Sequence, residues 1–276
     1  MKPRLLMLIP TATYRAEAFV RAAQRLAIDL SIASEVPSSL SSLHPVDLPA
    51  FNFGQPRDVM AAAKQLASSA RFDGVVAVDD ASVLAASLVA NTLGLPHHAP
   101  DAVRAALNKY FARERMRAAG LDVPRFRLVA LDADPSAAAR DVAKDVGYPA
   151  VLKPLAMAAS RGVVRVNSPE EFAAAFEQLV ALVRSAPSSH DEIANRHVLA
   201  EAYIPGSEVA VEGIVERGVF HLFTIFDKVD PLEGPYFPET MYVTPSRHTH
   251  AIQSRIEAVT RDTIAAAGLD HGPVHV

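Results

Sequence analysis

Hydrophobic residues in the first hundred positions form short continuous runs that alternate with segments of helical spacing. Such uninterrupted runs indicate parallel strands, because strands covered on both faces lack polar alternation. Strands are predicted over 4–9, 31–36 and 74–78. Helices are predicted over 15–29, 57–70 and 81–93. The last helix should end at Gly94, and 37–56 should be a loop with a short strand near Phe51 and Phe53. This alternation is typical of a small doubly wound parallel sheet.

The rest of the chain predicts a different, antiparallel-rich α+β arrangement. Strands are predicted over 126–131, 150–153, 162–167, 197–203, 208–216, 219–226 and 273–276. Helices are predicted over 101–120 (in two pieces, with Gly120 as C-cap), 135–146, 168–185 and 249–267. Ser168 should cap its helix and Glu171 should complete a capping box. Arg217 and Gly218 lie where a hairpin turn is expected.

Composition narrows the class of protein. The chain has 276 residues, of which 50% are hydrophobic and 21% charged, and this predicts a globular protein of two or three compact units. The net charge is -4 and no Lys/Arg-rich run occurs, so no nucleic-acid partner is expected. The absence of cysteine excludes disulfides and thiolate metal sites. The apolar run 5–9 is too short to span a membrane, so we expect no membrane partner and a cytoplasmic location.

Lys153 lies at the end of an apolar strand and has two interpretations. It can extend its ammonium group to solvent, as lysines at strand ends commonly do. It can instead hold an anion, because the segment that follows, 155–162, is a loop of small residues. Backbone N–H groups in such a loop can approach phosphate oxygens closely, and Arg161 adds a positive charge.

Charged residues also follow the later strands. Strand alternation places Glu208 and Glu212 on one face, where they either lie in solvent or accept hydrogen bonds from a ligand. By the same alternation, Lys228 should share a face with Phe220, Leu222, Thr224 and Phe226. The loop after Lys228 is rich in carboxylates and tyrosines, which suits a polar substrate as well as any exposed loop.

Several common chemistries lack their motifs. None of the histidines has a convincing metal-ligand spacing. No G-x-S-x-G or G-x-x-x-x-G-K-[ST] sequence occurs, so a hydrolase elbow and a P-loop are disfavoured. A dehydrogenase with a dinucleotide-binding first domain is also disfavoured, because residues 10–13, after the first strand, contain no glycine.

The order of these segments resembles the ATP-grasp carboxylate–amine ligases. The similarity rests on a series of segments in a fixed order. These are the small α/β domain, Asn108-Lys109-Tyr110 with 113–120 and Val123-Pro124, then Gly147-Tyr148-Pro149-Ala150-Val151-Leu152-Lys153-Pro154, the small-residue loop, and Glu201-Ala202-Tyr203-Ile204-Pro205-Gly206-Ser207-Glu208. It covers essentially the whole chain. Each segment alone is a modest signal, but their order and spacing together are specific.

The resemblance implies an ATP site. Lys109 and Lys153 match the lysines that contact phosphate groups, and the loop 155–162 matches the lid over the β- and γ-phosphates. Glu201 matches the acceptor of the adenine amino group, and Glu208 matches the ribose-binding acid. The residues implied in nucleotide binding are Lys109, Val151, Lys153, Ser160, Gly162, Glu201, Ala202, Tyr203, Ile204 and Glu208.

The resemblance also implies a reaction. In such ligases a carboxylate attacks the γ-phosphate of ATP to give an acyl phosphate, and an amine then displaces phosphate. Mg²⁺ assists, and Arg161, Lys228 and Glu239 match positions that contact substrate. The family's acidic and Asn metal ligands are expected beyond Val276, which suggests a truncated chain. The alternative is a nucleotide-binding relative without efficient catalysis, with a regulatory or scaffolding role.

The expected domain organisation follows from the same resemblance. Residues 1–98 should be an α/β domain that precedes the ATP-grasp core. The core should comprise 99–152 and 197–276, with 153–196 as the lid subdomain. These two α+β subdomains are expected to be incomplete at the C-terminus. The implied partners are a small-molecule carboxylate and an amine, and ligases of this kind are often homodimers.

Overall fold

The computed structural model describes residues 2–11, 13, 15–35, 50–188 and 191–276. The predicted loop falls on 37–49 for most of its length, and that part lies outside the described residues. The chain divides into two units, Met1–Arg104 and Ala105–Val276. No helix in the described ranges is both long and apolar enough to cross a membrane.

The first unit contains the predicted parallel sheet. Its strands run in the order β2-β1-β3 and are all parallel. Leu6 and Leu8 of the central strand are fully buried, as the continuous apolar run predicts. The strands are β1 (Arg4–Leu8), β2 (Asp29–Ala33) and β3 (Gly74–Ala77). The helices are α1 (Ala16–Arg25), α2 (Pro56–Ser69) and α3 (Asp80–Leu93), followed by α4 (Pro100–Leu107).

Two predictions in this unit are wrong. Helix α1 ends at Arg25 rather than continuing to Asp29, because Ala27 adopts a left-handed backbone (φ 53°) and the chain then enters β2. Phe51 and Phe53 are buried but form no strand. The N–H of Phe51 donates one backbone hydrogen bond, to the carbonyl oxygen of Ser34. The alternation of Phe51 and Phe53 with polar residues therefore reflects the burial of their side chains and not pairing in a sheet.

In the second unit, one antiparallel sheet is covered by helices on one face. Its order is β4-β7-β5-β6. Phe172 and Phe176 of α7 pack with Val142 of α6 against Leu152 and Val198. The strands are β4 (Phe126–Ala130), β5 (Ala150–Pro154), β6 (Val164–Val166) and β7 (His197–Ala202). The helices are α5 (Lys109–Ala118), α6 (Pro135–Asp145) and α7 (Pro169–Ser185).

Asn108 divides the predicted helix 101–120 into α4 and α5. Its Oδ1 accepts hydrogen bonds from the N–H groups of Tyr110 and Phe111, and its Nδ2 donates to Asp191 at 2.6 Å. The side chain is almost fully buried. This N-cap fixes the start of α5, whose Tyr110 packs against the face of the sheet opposite α6 and α7.

The helix α7 begins as predicted, with one difference. Ser168 accepts a hydrogen bond from the N–H of Glu171 at 3.3 Å. The Glu171 carboxylate, however, accepts from the N–H of Asn167 and not from that of Ser168. The reciprocal contact of a capping box is therefore shifted by one residue.

A second antiparallel sheet of this unit packs on one helix. Its order is β10-β9-β8-β11, and Val211, Ile225 and Val274 pack against Ile264 of α8. The predicted hairpin turn is confirmed, since Arg217 and Gly218 both have positive φ, at 51° and 79°. The elements are β8 (Val209–Glu216), β9 (Val219–Lys228), β10 (Tyr242–Val243), α8 (His250–Ala267) and β11 (Gly272–His275). The two-residue strand β10 was not predicted.

A bulge in β9 overturns one prediction about Lys228. Glu212 pairs with Thr224, but the next residue, Gly213, pairs with Leu222, so Phe223 has no partner in β8. Phe220 and Leu222 before the bulge pack toward α8, and after it Ile225 does so. Lys228 therefore lies on the opposite face from Phe220 and Leu222, because the extra residue inverts the alternation.

The close approach at Gly213 gives a stability prediction. A Cβ at this position would meet the side chain of Phe220 and lie 2.5 Å from the carbonyl oxygen of His221. We expect Gly213→Ala to lower the free energy of unfolding by about 1–3 kcal/mol, measured by urea denaturation. Gly218→Asn is the matched control, because no atom lies near its Cβ position and Asn tolerates positive φ. Equal stability of Gly213→Ala and the parent protein would contradict this packing.

Candidate functional site

A buried carboxylate lies on the sheet face that α6 and α7 leave uncovered. Glu201 of β7 is 2% exposed. Arg113 of α5 donates from Nε to its Oε1 at 2.7 Å, and Lys153 of β5 donates from Nζ to its Oε2. Val151 pairs with Glu201 across the sheet, so Lys153, two residues further on, points to the same face.

The charges of this group do not cancel. Burial by itself would raise the pKa of Glu201, but the attraction of Lys153 and Arg113 outweighs it and holds that pKa below its usual value. The carboxylate is therefore ionised at neutral pH, and the three side chains carry a net charge of one positive unit. The Lys153 and Arg113 side chains are 21% and 28% exposed, against 3% for Glu201, so the cations face solvent.

The loop 155–162 begins directly after β5 and is held by Lys109. The Lys109 Nζ donates to the carbonyl oxygen of Met157 at 2.6 Å, and its backbone N–H donates to that of Leu155. Ala159 and Ser160 both adopt left-handed backbone conformations, with φ of 54° and 52°. Such conformations are costly for residues with a Cβ, so they suggest a functional constraint at this loop.

Gly162 has a packing role in this loop. Its φ is 73°, and a Cβ would lie 2.7 Å from a methyl group of Leu182 in α7 and 2.8 Å from Pro154. The same side of the loop borders a cavity of about 350 Å³ that α7 and residues 236–238 also line. Glycine is therefore required at position 162 because a side chain there would collide with α7. This requirement does not depend on any ligand of the loop backbone.

A second charged group includes four of the predicted residues. Lys228 donates to Glu208 and, at 3.1 Å, to Glu239. Ser160 of the loop donates to the same Glu239 at 3.0 Å, and Tyr242 of β10 donates to its other oxygen. The Lys228 side chain is 10% exposed. The loop 155–162 thus contacts both Lys109 and the residues around Glu239.

Both members of the Lys228–Glu239 pair remain charged. Burial would lower the pKa of Lys228, but the hydrogen bonds and attraction of Glu208 and Glu239 raise it above its usual value. Burial would raise the pKa of Glu239, but hydrogen bonds from Tyr242 and Lys228, together with the ammonium charge, hold it below its usual value. An anionic ligand that displaced Glu208 or Glu239 would therefore meet a protonated lysine.

The backbone after Glu201 presents one available donor. The N–H of Ala202 donates to the carbonyl oxygen of Arg125 at 2.8 Å, and the N–H of Tyr203 donates to the carbonyl oxygen of Pro149 at 3.0 Å. Within the described ranges, the N–H of Ile204 donates to no protein group. Ile204 is also 66% exposed, whereas Val151, which pairs with Glu201 in the sheet, is buried. Of the three predicted hinge residues, Ile204 alone therefore offers its N–H to a ligand.

The sequence interpretation missed two arginines near the site. Arg113 follows Lys109 by four residues, a spacing that places both on one side of a helix and could have indicated it. The guanidinium group of Arg165 stacks 4.1 Å from the ring centre of Tyr203 and donates to the carbonyl oxygen of Glu233. The Tyr203 hydroxyl donates to the carbonyl oxygen of Leu232. Arg165 and Tyr203 therefore attach the segment after β9 to the first sheet of the unit.

The predicted site residues thus form two charged groups connected by one loop. Lys153 and Glu201 form the first, with Arg113. Glu208, Lys228, Glu239 and Ser160 form the second. Arg161 is exposed, and its N–H closes a turn onto Ala158. In the part of the chain that the structure describes, no cluster of three or more His, Asp or Glu side chains could hold a metal ion.

Comparison with known proteins finds one matching domain family and several similar ligases. Residues 146–276 match the ATP-grasp domain family. The chain is 25% identical over 184 residues to a D-alanine–D-alanine ligase of Cupriavidus necator, covering 64% of this chain and 51% of that protein.

Solved structures share the fold. An L-amino acid ligase from Bacillus licheniformis superposes with a TM-score of 0.74 at 22% identity, covering all of this chain and 63% of the ligase. A carboxyaminoimidazole ribonucleotide synthase from Aspergillus clavatus, solved with ATP, gives a TM-score of 0.69 at 22% identity, with 99% and 66% coverage.

This chain spans about half the length of the curated relatives that it matches, between 41% and 53%. The fold class predicted from the sequence, a parallel-sheet unit followed by antiparallel α+β structure of the ATP-grasp type, is confirmed. Over residues 146–276, this chain is similar to the ATP-grasp domain family.

Proposed function

We propose that the whole protein is an ATP-dependent ligase that joins a carboxylate to an amine. One observation carries this proposal: Lys153 and Arg113 lie over the buried Glu201 and leave an uncompensated positive charge on the sheet face opposite α6 and α7. Lys153 and Glu201 both lie in the segment that matches the ATP-grasp domain family. Such a charge beside a small-residue loop suits a polyphosphate. The relatives named as D-alanine–D-alanine ligase and L-amino acid ligase support the reaction class.

ATP would use both charged groups in this proposal. The adenine would lie against Val151 and accept from the N–H of Ile204, next to Ala202 and Tyr203. Lys153 would contact the α-phosphate, and Glu208 would accept from the ribose hydroxyls, leaving Lys228 to meet phosphate oxygen. Lys109 and the loop 155–162 would enclose the remaining phosphates.

The proposed reaction has two steps. The substrate carboxylate attacks the γ-phosphorus of ATP and ADP leaves, which gives an acyl phosphate. The amine then attacks the acyl carbon, inorganic phosphate leaves, and the nitrogen loses a proton as the amide-type bond forms. The chain's contribution is to position the reactants and neutralise charge, with Lys228 and Arg161 beside the transferred group and Glu239 toward the amine. In this proposal the substrates are a small-molecule carboxylate and an amine. The protein would act in the cytoplasm as a homodimer.

Mg²⁺ would neutralise phosphate charge in such a ligase. The described residues hold no acidic cluster to bind it, so the residues present do not fit this ion and no step here depends on it. A second candidate is a nucleotide-binding protein without efficient turnover. Phosphate release from ATP over pairs of amino acids, measured alongside ATP binding by calorimetry, distinguishes the two. Binding without release supports the second candidate, and absence of binding contradicts both.

The assigned phosphate contact gives the first binding prediction. We expect Lys153→Ala to weaken ATP binding by about 10- to 100-fold, because a charge-assisted hydrogen bond to phosphate is lost. Calorimetric titration with ATP measures this. Lys144→Ala, at an exposed position of α6, is the matched control and should bind as the parent protein does. An unchanged dissociation constant for Lys153→Ala would remove the lysine from the site.

The ribose role of Glu208 gives a second binding prediction. We expect Glu208→Gln to weaken ATP roughly tenfold, and to affect 2′,3′-dideoxy-ATP much less, because that analogue has no ribose hydroxyls to donate. Both constants are measured by calorimetry, with the exposed Glu216→Gln as control. Equal losses for the two nucleotides would reject the ribose contact.

The lowered pKa of Glu201 predicts how stability depends on pH. A carboxylate whose pKa falls on folding stabilises the protein above its ordinary value of 4.5, and this contribution disappears as the pH falls through the lower folded pKa. We expect Glu201→Gln to lose about 3–5 kcal/mol of unfolding free energy at pH 7, since it leaves two cations without their anion.

Urea denaturation at a series of pH values tests this dependence. The stability difference between the parent protein and Glu201→Gln should be constant from pH 7 to about pH 5 and shrink below pH 4.5. Glu216→Gln should show no comparable trend, because that side chain is exposed. A difference that persists undiminished at pH 3 would mean that folding does not lower the pKa of Glu201.

A further inference from the structure

The contact between Lys153 and Glu201 presents a problem for anion binding. A lysine that donates directly to a carboxylate forms a neutral pair, and a neutral pair attracts a phosphate far less than a single cation does. The proposed phosphate role of Lys153 therefore requires either that the pair separate or that a second cation offset Glu201.

Arg113 is placed to be that second cation. Its Nε donates to the Glu201 oxygen that Lys153 does not contact, at 2.7 Å. The carboxylate is thus engaged on both oxygens and stays beneath the two cations. The guanidinium group remains charged at every pH at which proteins fold, so its compensation of Glu201 is permanent.

Other contacts in α5 show that this placement is specific. The exposed Arg117 of the same helix pairs with Glu114 and lies over the ring of Phe126. Arg113 alone, of the residues that the structure describes in this helix, reaches Glu201. Its other contact is a long one, 3.8 Å from the sulfur of Met116.

We propose that Arg113 is a positioning residue that neutralises Glu201 and so leaves the charge of Lys153 available to the phosphates of a nucleotide. This inference rests on the proposed function, because it assigns the source of the positive charge at the same site. It predicts that Arg113 affects the phosphate-dependent part of binding and not the part due to the nucleoside.

The experiment compares ATP with adenosine. Dissociation constants for ATP are measured by calorimetry and those for adenosine by NMR titration. The proteins are the parent, Arg113→Met and Arg113→Lys, with Arg117→Met as the matched control on α5. We expect Arg113→Met to weaken ATP by about tenfold or more and adenosine by less than about twofold. Arg113→Lys should recover most of the loss, and Arg117→Met should resemble the parent.

Salt dependence provides an independent readout. The readout is the slope of a plot of the logarithm of the ATP dissociation constant against the logarithm of the salt concentration. Arg113→Met removes one of the two cations and should reduce this slope, whereas Arg117→Met should leave it unchanged. An equal loss of ATP and adenosine, or an unchanged salt slope, would mean that Arg113 only holds the fold.

The failures of the two proposals are distinguishable. If the parent protein binds no ATP, the proposed function fails; if it binds ATP and Arg113→Met binds equally well, only the role of Arg113 fails. Circular dichroism verifies folding of each variant. Should Arg113→Met not fold, Arg113→Gln, which keeps a hydrogen-bond donor but no charge, replaces it: loss of ATP affinity with adenosine binding retained supports the proposal, and unchanged ATP affinity overturns it.

Discussion

The buried carboxylate of Glu201 is the constraint on which the rest of this site depends. Burying an ionised group is unfavourable unless cations and hydrogen bonds replace the lost water. Lys153 from β5 and Arg113 from α5 supply them, so one contact group fixes a strand and a helix to β7. Because two cations meet one anion, the arrangement leaves positive charge at the surface, where the proposed phosphate group would bind.

The loop 155–162 connects the end of β5, which carries Lys153, to the second charged group. It starts two residues after Lys153, binds the ammonium group of Lys109 through Met157, and reaches Glu239 through Ser160. Strained backbone at Ala159 and Ser160 shows that these contacts, together with packing on α7, determine its conformation. In the proposed ligase, the loop would therefore respond to a nucleotide through both charged groups.

Local sequence signals predicted most of the elements because their physical causes are local. The Ser168 cap, the positive-φ turn at Arg217 and Gly218, and the apolar run of β1 all act within a few residues. The errors have two causes. Phe51 and Phe53 alternate like a strand but are buried without pairing. Helix α1 ends at Arg25 because Ala27 adopts a left-handed backbone, which the apolar spacing does not indicate. Strand β10 is too short for any periodicity to be detected.

By itself, the sequence predicted the order of the elements, the family resemblance and the candidate charged residues, Lys109, Lys153, Glu201, Glu208, Lys228 and Glu239. Only the tertiary structure decided which charges meet. Arg113 and Glu201 are 88 positions apart, and their pairing depends on how α5 lies on the sheet. The face occupied by Lys228 depends on a single unpaired residue, Phe223, because one extra residue in a strand inverts the alternation beyond it.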